Sequence, residues 1–180
     1  MYVKLGSITV YISFSFAVFL AVAANIAGGR NLVLSFLFSF IHEAVHLIFL
    51  YFSGIKKAEI KLYPAGIKIC CMGMNMLSYR KTILTALSAP VFNLIAGAVF
   101  FFLHKSCENE LLYVCCAVNF ILGAINLLPL SFLDGGRTLY AMLSERLPDS
   151  RVRKIMSVLN IWVIAFLFLL FLFSFQMCLL

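Results

Sequence analysis

The sequence contains little charge, and acidic residues are the scarcest part of it. Asp and Glu together number 7 in 180 residues, Lys and Arg number 14, and charged residues make up 12% of the chain. A soluble domain usually carries about twice that charged fraction. Hydrophobic residues instead reach 64%, with a mean hydropathy of +1.07. These values exclude an ordinary soluble domain and predict a chain that is embedded in a lipid bilayer.

The sequence also lacks the features that mark disulfide scaffolds, thiolate metal sites and separate domains. Its 6 cysteines form no C-x-x-C pair, so we predict that most are small apolar side chains within helices. We find no internal repeat and no low-complexity linker. The expectation is a single domain over residues 1–180, without a large soluble part.

Five apolar runs are long enough to cross a bilayer, which takes about 20 residues. The first run follows Lys4 and resembles a signal peptide, but it exceeds the usual apolar length of about 7–15 residues, which favours an uncleaved span. We therefore predict an all-α polytopic membrane protein with about five transmembrane helices. The runs cover residues 8–27, 31–53, 82–103, 111–130 and 155–180.

Residues 55–74 do not form an apolar run. Polar and apolar side chains alternate over residues 58–63 and again over 67–69, on either side of a Pro-Ala-Gly turn. This pattern is typical of a β-hairpin. Because unpaired strand edges cannot face lipid, we predict a small membrane-associated hairpin at the interface between the second and third spans.

Basic residues concentrate on one predicted side of the membrane. If the N-terminus is cytoplasmic, all Lys and Arg residues except Arg30 and Lys105 fall on the cytoplasmic side, which satisfies the positive-inside rule. We predict a multi-pass protein of the cell membrane with a cytoplasmic N-terminus and an active-site opening toward the cytoplasm. The basic excess is thus a topology signal, and no nucleic-acid partner is expected.

The second run contains His42-Glu43-Ala44-Val45-His46 among bulky apolar residues. An ionisable group at mid-bilayer costs at least about 2.5 kcal/mol, so it normally marks a function and has a partner. Residues four apart lie on one helix face, so His42 and His46 can bind one metal ion while Glu43 projects beside them. The pattern suits zinc, with Glu43 as the general base for a zinc-bound water. A chance match is common only on soluble helices.

Two histidines leave a catalytic zinc ion one protein ligand short. His104 lies at the far end of the third run, where an interfacial role is favoured. Asp134 follows the fourth run, where Pro129 and the pair Gly135-Gly136 would break the helix and let a carboxylate turn inward. Alone, Asp-Gly-Gly indicates a surface turn. Together with H-E-x-x-H, it predicts Asp134 as the third ligand of one zinc ion per chain.

The two motifs resemble those of the site-2 protease family of intramembrane zinc metalloproteases. The resemblance rests on H-E-x-x-H in one span and on the later pattern N-x-x-P-x-x-x-x-D-G, formed by Asn126, Pro129, Asp134 and Gly135. It covers nearly the whole chain. The stretch 88–93 is similar to the family's core helix that bears Pro and Asn.

The resemblance implies that His42, His46 and Asp134 bind zinc, that Glu43 activates water, and that Asn126 and Pro129 shape a substrate-binding cleft. The hairpin would then lie near the active site, where an unwound substrate segment could pair with its edge. The implied activity is hydrolysis of a peptide bond in or near a transmembrane segment of a membrane-tethered protein.

The chain looks most like the short bacterial branch that contains the sporulation sigma-factor-processing protease. That resemblance implies a sigma-factor precursor or another regulator as substrate. Members of the branch commonly have a sixth span and a C-terminal nucleotide-sensing domain, which this sequence does not show. It also has no PDZ-like insertion, so a regulatory membrane protein is an expected partner.

Two other classes of protein stay open. A catalytically silent, zinc-binding membrane scaffold would keep the fold as a docking surface, but it has no use for Glu43. A zinc transporter would carry polar residues along several spans and some repeat symmetry. Asn93 and Asn119 are predicted to form structural hydrogen bonds between helices, and Gly97 and Gly123 to allow close helix packing.

Overall fold

The computed structural model describes residues 2–5, 8–12, 22, 29–55, 58–63, 66–71 and 77–178. Four strands and five helices lie in this part of the chain. In chain order they are β1 (Tyr2–Leu5), β2 (Ile8–Ile12), α1 (Gly29–Phe52), β3 (Ala58–Tyr63), β4 (Gly66–Cys71), α2 (Tyr79–Cys107), α3 (Glu110–Asn126), α4 (Asp134–Ser144) and α5 (Asp149–Cys178).

Three of the described helices are long and apolar enough to cross a membrane: α1, α2, and α5 over Asp149–Gln176. Helix α3 is apolar but has 17 residues, a length of about 26 Å. This is slightly less than the hydrocarbon core, which is about 30 Å thick. The fold is therefore of a membrane type, with three candidate spans where the sequence predicts four after the first run.

The prediction of a transmembrane helix over residues 8–27 is wrong for the first five of them. Ile8–Ile12 form strand β2, which pairs antiparallel with β1 and parallel with β3. Ile8, Thr9, Val10 and Ile12 are β-branched and favour extended backbone when a partner strand is present. Their hydropathy alone does not distinguish a strand from the start of a helix. Except for residue 22, the rest of that run lies outside the described residues.

The four strands form one sheet in the order β1-β2-β3-β4. Strands β3 and β4 pair antiparallel, from Ala58 opposite Cys71 to Tyr63 opposite Gly66. The predicted fold of helices with one small hairpin is therefore incomplete, because β1 and β2 join β3 and β4 in a four-stranded sheet. The position of residues 55–74 at a membrane surface stays a prediction. Since a sheet cannot be divided across a bilayer, β1–β2 and β3–β4 lie on the same side of it.

Two predicted runs have different bounds in the structure. The fourth run, residues 111–130, is helical only to Asn126, because Pro129 has no N–H to donate and disfavours helical backbone before it. A loop then leads to α4, which the sequence did not predict. The fifth run begins earlier, at Asp149, where an acidic residue in the first turn favours a helix start.

Helix α2 is the centre of the helical packing and contacts α1, α3 and α4. A Cβ atom on Gly97 would lie 3.1 Å from the Phe120 ring, and one on Gly123 would lie 2.9 Å from Leu94. These two glycines therefore hold the predicted close-packing positions. Helix α5 packs against α4, and its first turns contain the buried Val152 and Met156.

Candidate metal centre

Helix α1 directs both histidines of the H-E-x-x-H motif into the protein. His42 and His46 are four positions apart, so they share one helix face. Their side chains are buried, with 4% and 6% of the residue exposed. The two imidazole rings lie 4.9 Å apart between centroids. The apolar surface of the helix thus faces outward while its two titratable nitrogen ligands face inward.

The first turn of α4 brings Asp134 to the two histidines. Its Oδ2 atom lies 3.1 Å from His42 Nε2 and 3.0 Å from His46 Nε2. Asp134 is itself buried, with 5% of the residue exposed.

Helix α2 supplies a hydrogen-bond acceptor for the other nitrogen of each imidazole. His42 Nδ1 lies 3.2 Å from Asn93 Oδ1, and His46 Nδ1 lies 2.8 Å from the Thr85 carbonyl oxygen. A carbonyl oxygen only accepts hydrogen bonds, so Nδ1 of each ring carries the proton and donates. The lone pair of each Nε2 then points toward Asp134.

Three lone-pair donors consequently converge on one point. Two neutral imidazole nitrogens and a carboxylate oxygen do not attract one another unless a cation or a proton lies between them. Ligand atoms about 2.0–2.1 Å from a tetrahedral zinc ion lie about 3.3 Å apart, close to the observed separations of 3.0 and 3.1 Å. The three ligand atoms all lie within 4.8 Å of one another. The donor set fits a zinc site with an open fourth position.

Glu43 lies beside this cluster and is half-buried. Its carboxyl interacts electrostatically with both histidines, with Asp134 and with Arg137. Arg137 Nη1 also lies 3.7 Å from Asp134 Oδ1, but its side chain is 54% exposed. Because solvent screens such a pair, it adds little to the stability of the centre.

Asn126 and Pro129 lie at the start of the loop that precedes Asp134, and both are half-buried. Asn126 Nδ2 donates to the Leu122 carbonyl oxygen of its own helix at 3.0 Å. Their part in substrate binding stays a prediction. His104 is not in the cluster: its Nδ1 lies 2.9 Å from the Asn109 carbonyl oxygen, in the turn between α2 and α3.

The predicted helix-breaking role of Gly135 and Gly136 is wrong. Both residues lie inside the first turn of α4, where they do not break a helix. A Cβ atom on Gly135 would lie 2.1 Å from the Leu127 carbonyl oxygen, and one on Gly136 would lie 1.9 Å from the Leu130 carbonyl oxygen. The glycines are therefore required because the helix start presses against loop backbone.

The hydrogen-bond partners of the two histidines were not recognised in the sequence. Asn93 was predicted to be structural, and Thr85 received no role. A signal was available for Asn93, since histidines that bind a metal almost always donate their second ring N–H to a fixed acceptor. A polar residue within an apolar run is a candidate for that acceptor.

Replacing Asn93 with Ala is expected to weaken metal binding by about 10–100-fold, the usual cost of losing an outer partner of a metal-binding histidine. The measurement is metal affinity by competition with a chelator. The control is Asn119→Ala, because Asn119 is equally buried at 0% exposed but donates to the Cys115 carbonyl oxygen within α3. Equal losses in both variants would mean that Asn93 acts only through helix packing.

The helices thus hold a buried cluster of two histidines and one carboxylate that could bind a metal ion, with a glutamate beside it. Residues 104–170 match the sequence model of Peptidase family M50, a segment that includes Asp134 but not the H-E-x-x-H motif. The fold is similar to that of the site-2 protease from Methanocaldococcus jannaschii, with a TM-score of 0.71 and 24% identity. That similarity covers 99% of this chain and 88% of the other.

A zinc metalloprotease from the same organism is 26% identical over 155 residues, which is 79% of this chain and 45% of that protein. The chain thus spans about half the length of this curated relative. The chain is therefore similar to Peptidase family M50 over residues 104–170 and to a site-2 protease in its fold.

Proposed function

We propose that the chain is an intramembrane zinc metalloprotease that hydrolyses a peptide bond in or near a transmembrane segment of a membrane-tethered protein. The observation that carries the proposal is the convergence of His42 Nε2, His46 Nε2 and Asp134 Oδ2 beside Glu43. The family match and the name of the zinc metalloprotease relative support it.

In this mechanism, His42, His46 and Asp134 would hold one zinc ion. When bound, the ion supplies Lewis acidity and a water of lowered pKa. Glu43 would act as general base and then general acid, taking a proton from the attacking water and delivering it to the leaving amine. Asn93 and the Thr85 carbonyl keep each imidazole in the tautomer that leaves Nε2 free to bind metal.

The proposed orientation follows from charge and from the sheet. Strands β1 to β4 lie on one side of the membrane because they share one sheet. That sheet carries Lys4, Lys61 and Lys68, so the positive-inside rule assigns it to the cytoplasm. We propose that the site opens toward the same side, and that Asn126 and Pro129 contact the substrate there.

The narrower proposal for the substrate is a membrane-tethered sigma-factor precursor or a similar regulator. It rests on the resemblance of the Leu-Asp-Gly-Gly-Arg stretch at residues 133–137 to the sporulation branch. A regulatory membrane protein is the proposed partner. The reporter in the following experiment therefore carries a membrane-proximal pro-segment of that type.

The test compares cleavage of the tethered reporter by wild type and by Glu43→Gln in matched membranes. The variant removes the general base without removing a metal ligand. We expect it to keep zinc at the wild-type ratio of one per chain and to cut about 10²–10⁴-fold more slowly. A chelator should abolish cleavage by wild type, and added zinc should restore it.

Equal cleavage by wild type and Glu43→Gln would refute the proposed mechanism. If wild type binds zinc and cuts no transmembrane reporter even with a candidate regulator present, the result supports the zinc-binding scaffold instead. The scaffold is the second candidate because the metal ligands alone would serve it, and only Glu43 separates the two functions.

A further inference from the structure

Helix α5 makes few polar contacts with the rest of the protein, and one of them lies deep in its apolar part. Among the described residues, two α5 side chains form hydrogen bonds to other elements: Asp149 with Tyr140 at the helix start, and Asn160 with Ser131. Asn160 follows the last charged residue of the helix, Lys154, by six positions, or about 9 Å along the axis. A polar side chain at that depth calls for a functional explanation.

Asn160 contacts Ser131 through two hydrogen bonds at once. Ser131 donates its backbone N–H to Asn160 Oδ1 at 3.1 Å, and Asn160 donates from Nδ2 to Ser131 Oγ at 2.8 Å. The oxygen and the nitrogen of the Asn160 side-chain amide thus both form hydrogen bonds with the same loop residue. Two bonds of this kind fix the position and the orientation of the loop backbone at Ser131.

That loop directly supports the start of α4. Gly136 packs closely against the backbone of this loop. A Cβ atom added to Gly136 would lie 1.9 Å from the Leu130 carbonyl oxygen and 2.8 Å from the Ser131 backbone nitrogen. Leu133 N–H also donates to the Leu130 carbonyl oxygen at 2.8 Å. Asp134 follows at the next position, so the loop backbone at Leu130 and Ser131 determines where its carboxylate lies.

The exposed surface around the pair indicates a membrane environment. Phe132, next to Ser131, is 69% exposed, and Trp162, two residues beyond Asn160, is 73% exposed. Trp162 is on a candidate span and Phe132 is in the adjacent loop, and we expect both side chains to contact lipid or its interface. Asn160 is half-buried and Ser131 is exposed in the protein itself, so lipid at this surface would shield the two hydrogen bonds from water.

We propose that Asn160 is a positioning residue of the metal centre, acting through Ser131 and Gly136 to hold Asp134 against the two histidines. The proposal rests on the proposed function, since it assigns Asp134 to the metal. It makes α5, which contributes no ligand, a determinant of metal affinity. Loosening the pair lets the loop shift and separates the Asp134 carboxylate from His42 and His46.

The test measures zinc affinity by chelator competition for wild type, Asn160→Ala, Ser131→Ala and the double variant. We expect Asn160→Ala to bind zinc more weakly, by no more than the about 10–100-fold that follows loss of a direct partner of a ligand. Ser131→Ala keeps the backbone donor and should lose less. The double variant should be no weaker than Asn160→Ala, because both changes remove the same contact. The matched control is Ser157→Ala, an exposed residue of the same helix, which should leave affinity unchanged.

A spectroscopic measurement separates positioning from general stability. Cobalt substituted for zinc reports ligand geometry through its visible absorption, and we expect altered bands in Asn160→Ala and unaltered bands in Ser157→Ala. Unchanged bands and affinity in folded Asn160→Ala would overturn the proposal, even if its unfolding temperature falls. If Asn160→Ala does not fold, Ser131→Ala decides by the same criteria. Failure of wild type to bind zinc would instead refute the proposed function.

Discussion

Asp134→Asn is expected to lower zinc affinity by more than about 100-fold, because even the loss of an outer partner of a ligand costs about 10–100-fold. The amide oxygen is neutral and binds zinc far more weakly than the carboxylate that now lies 3.0–3.1 Å from both Nε2 atoms. Cleavage of the tethered reporter should be lost together with the metal. Bound zinc per chain and reporter cleavage are the two measurements.

The variant should nevertheless fold. In the metal-free state, the Asn amide nitrogen can donate to the Nε2 lone pair of His42 or His46, a bond that the carboxylate cannot make. Unfolding temperature in detergent checks this point. The control is Glu145→Gln, which neutralises an exposed carboxyl at the opposite end of α4. Wild-type zinc content in Asp134→Asn would show that Asp134 is not a ligand.

The parts of the metal centre that depend on local geometry could be predicted from the sequence. His42 and His46 lie four positions apart, and helix periodicity alone places them on one face. Helix periodicity could not predict Asp134 as a ligand, because it lies 92 residues from His42. It was predicted only because zinc needs a third ligand and because the later motif resembles that of a known family.

The errors in the predicted fold come from residues whose type is compatible with two kinds of local structure. Ile8–Ile12 are apolar enough for a membrane helix but β-branched enough for a strand, and the choice depends on β3, some fifty positions later. Helix α4 was missed because its 11 residues include two glycines, which normally argue against a helix. Their role depends on a close approach of loop backbone that no sequence pattern reveals.

The contacts that support the ligands also depend on tertiary packing. Asn93 meets His42 because α1 and α2 pack together, and Asn160 meets Ser131 because α5 returns beside the loop. Each pair joins residues that are far apart in sequence, so periodicity gives no information about it. A polar residue in an apolar run predicts that a partner exists without identifying the partner.

Gly136→Ala is expected to abolish zinc binding and to lower the unfolding temperature. In a helix without tertiary contacts this change stabilises by about 1 kcal/mol, because Ala has the higher helix propensity. Here the new Cβ atom would lie 1.9 Å from the Leu130 carbonyl oxygen and 2.3 Å from its carbon. Those atoms are backbone and cannot rotate away, so the start of α4 must move and carry Asp134 with it.

The matched control is Gly97→Ala, in which the added Cβ meets the side chain of Phe120 at 3.1 Å within the α2–α3 contact. An aromatic ring can shift by a few tenths of an ångström, so this variant should keep its zinc. Both variants gain the same helix propensity, and they differ in whether the obstacle is backbone beside a metal ligand. A Gly136→Ala protein that unfolds at a higher temperature and retains zinc would show that the loop yields, and that Asp134 is positioned by its own helix alone.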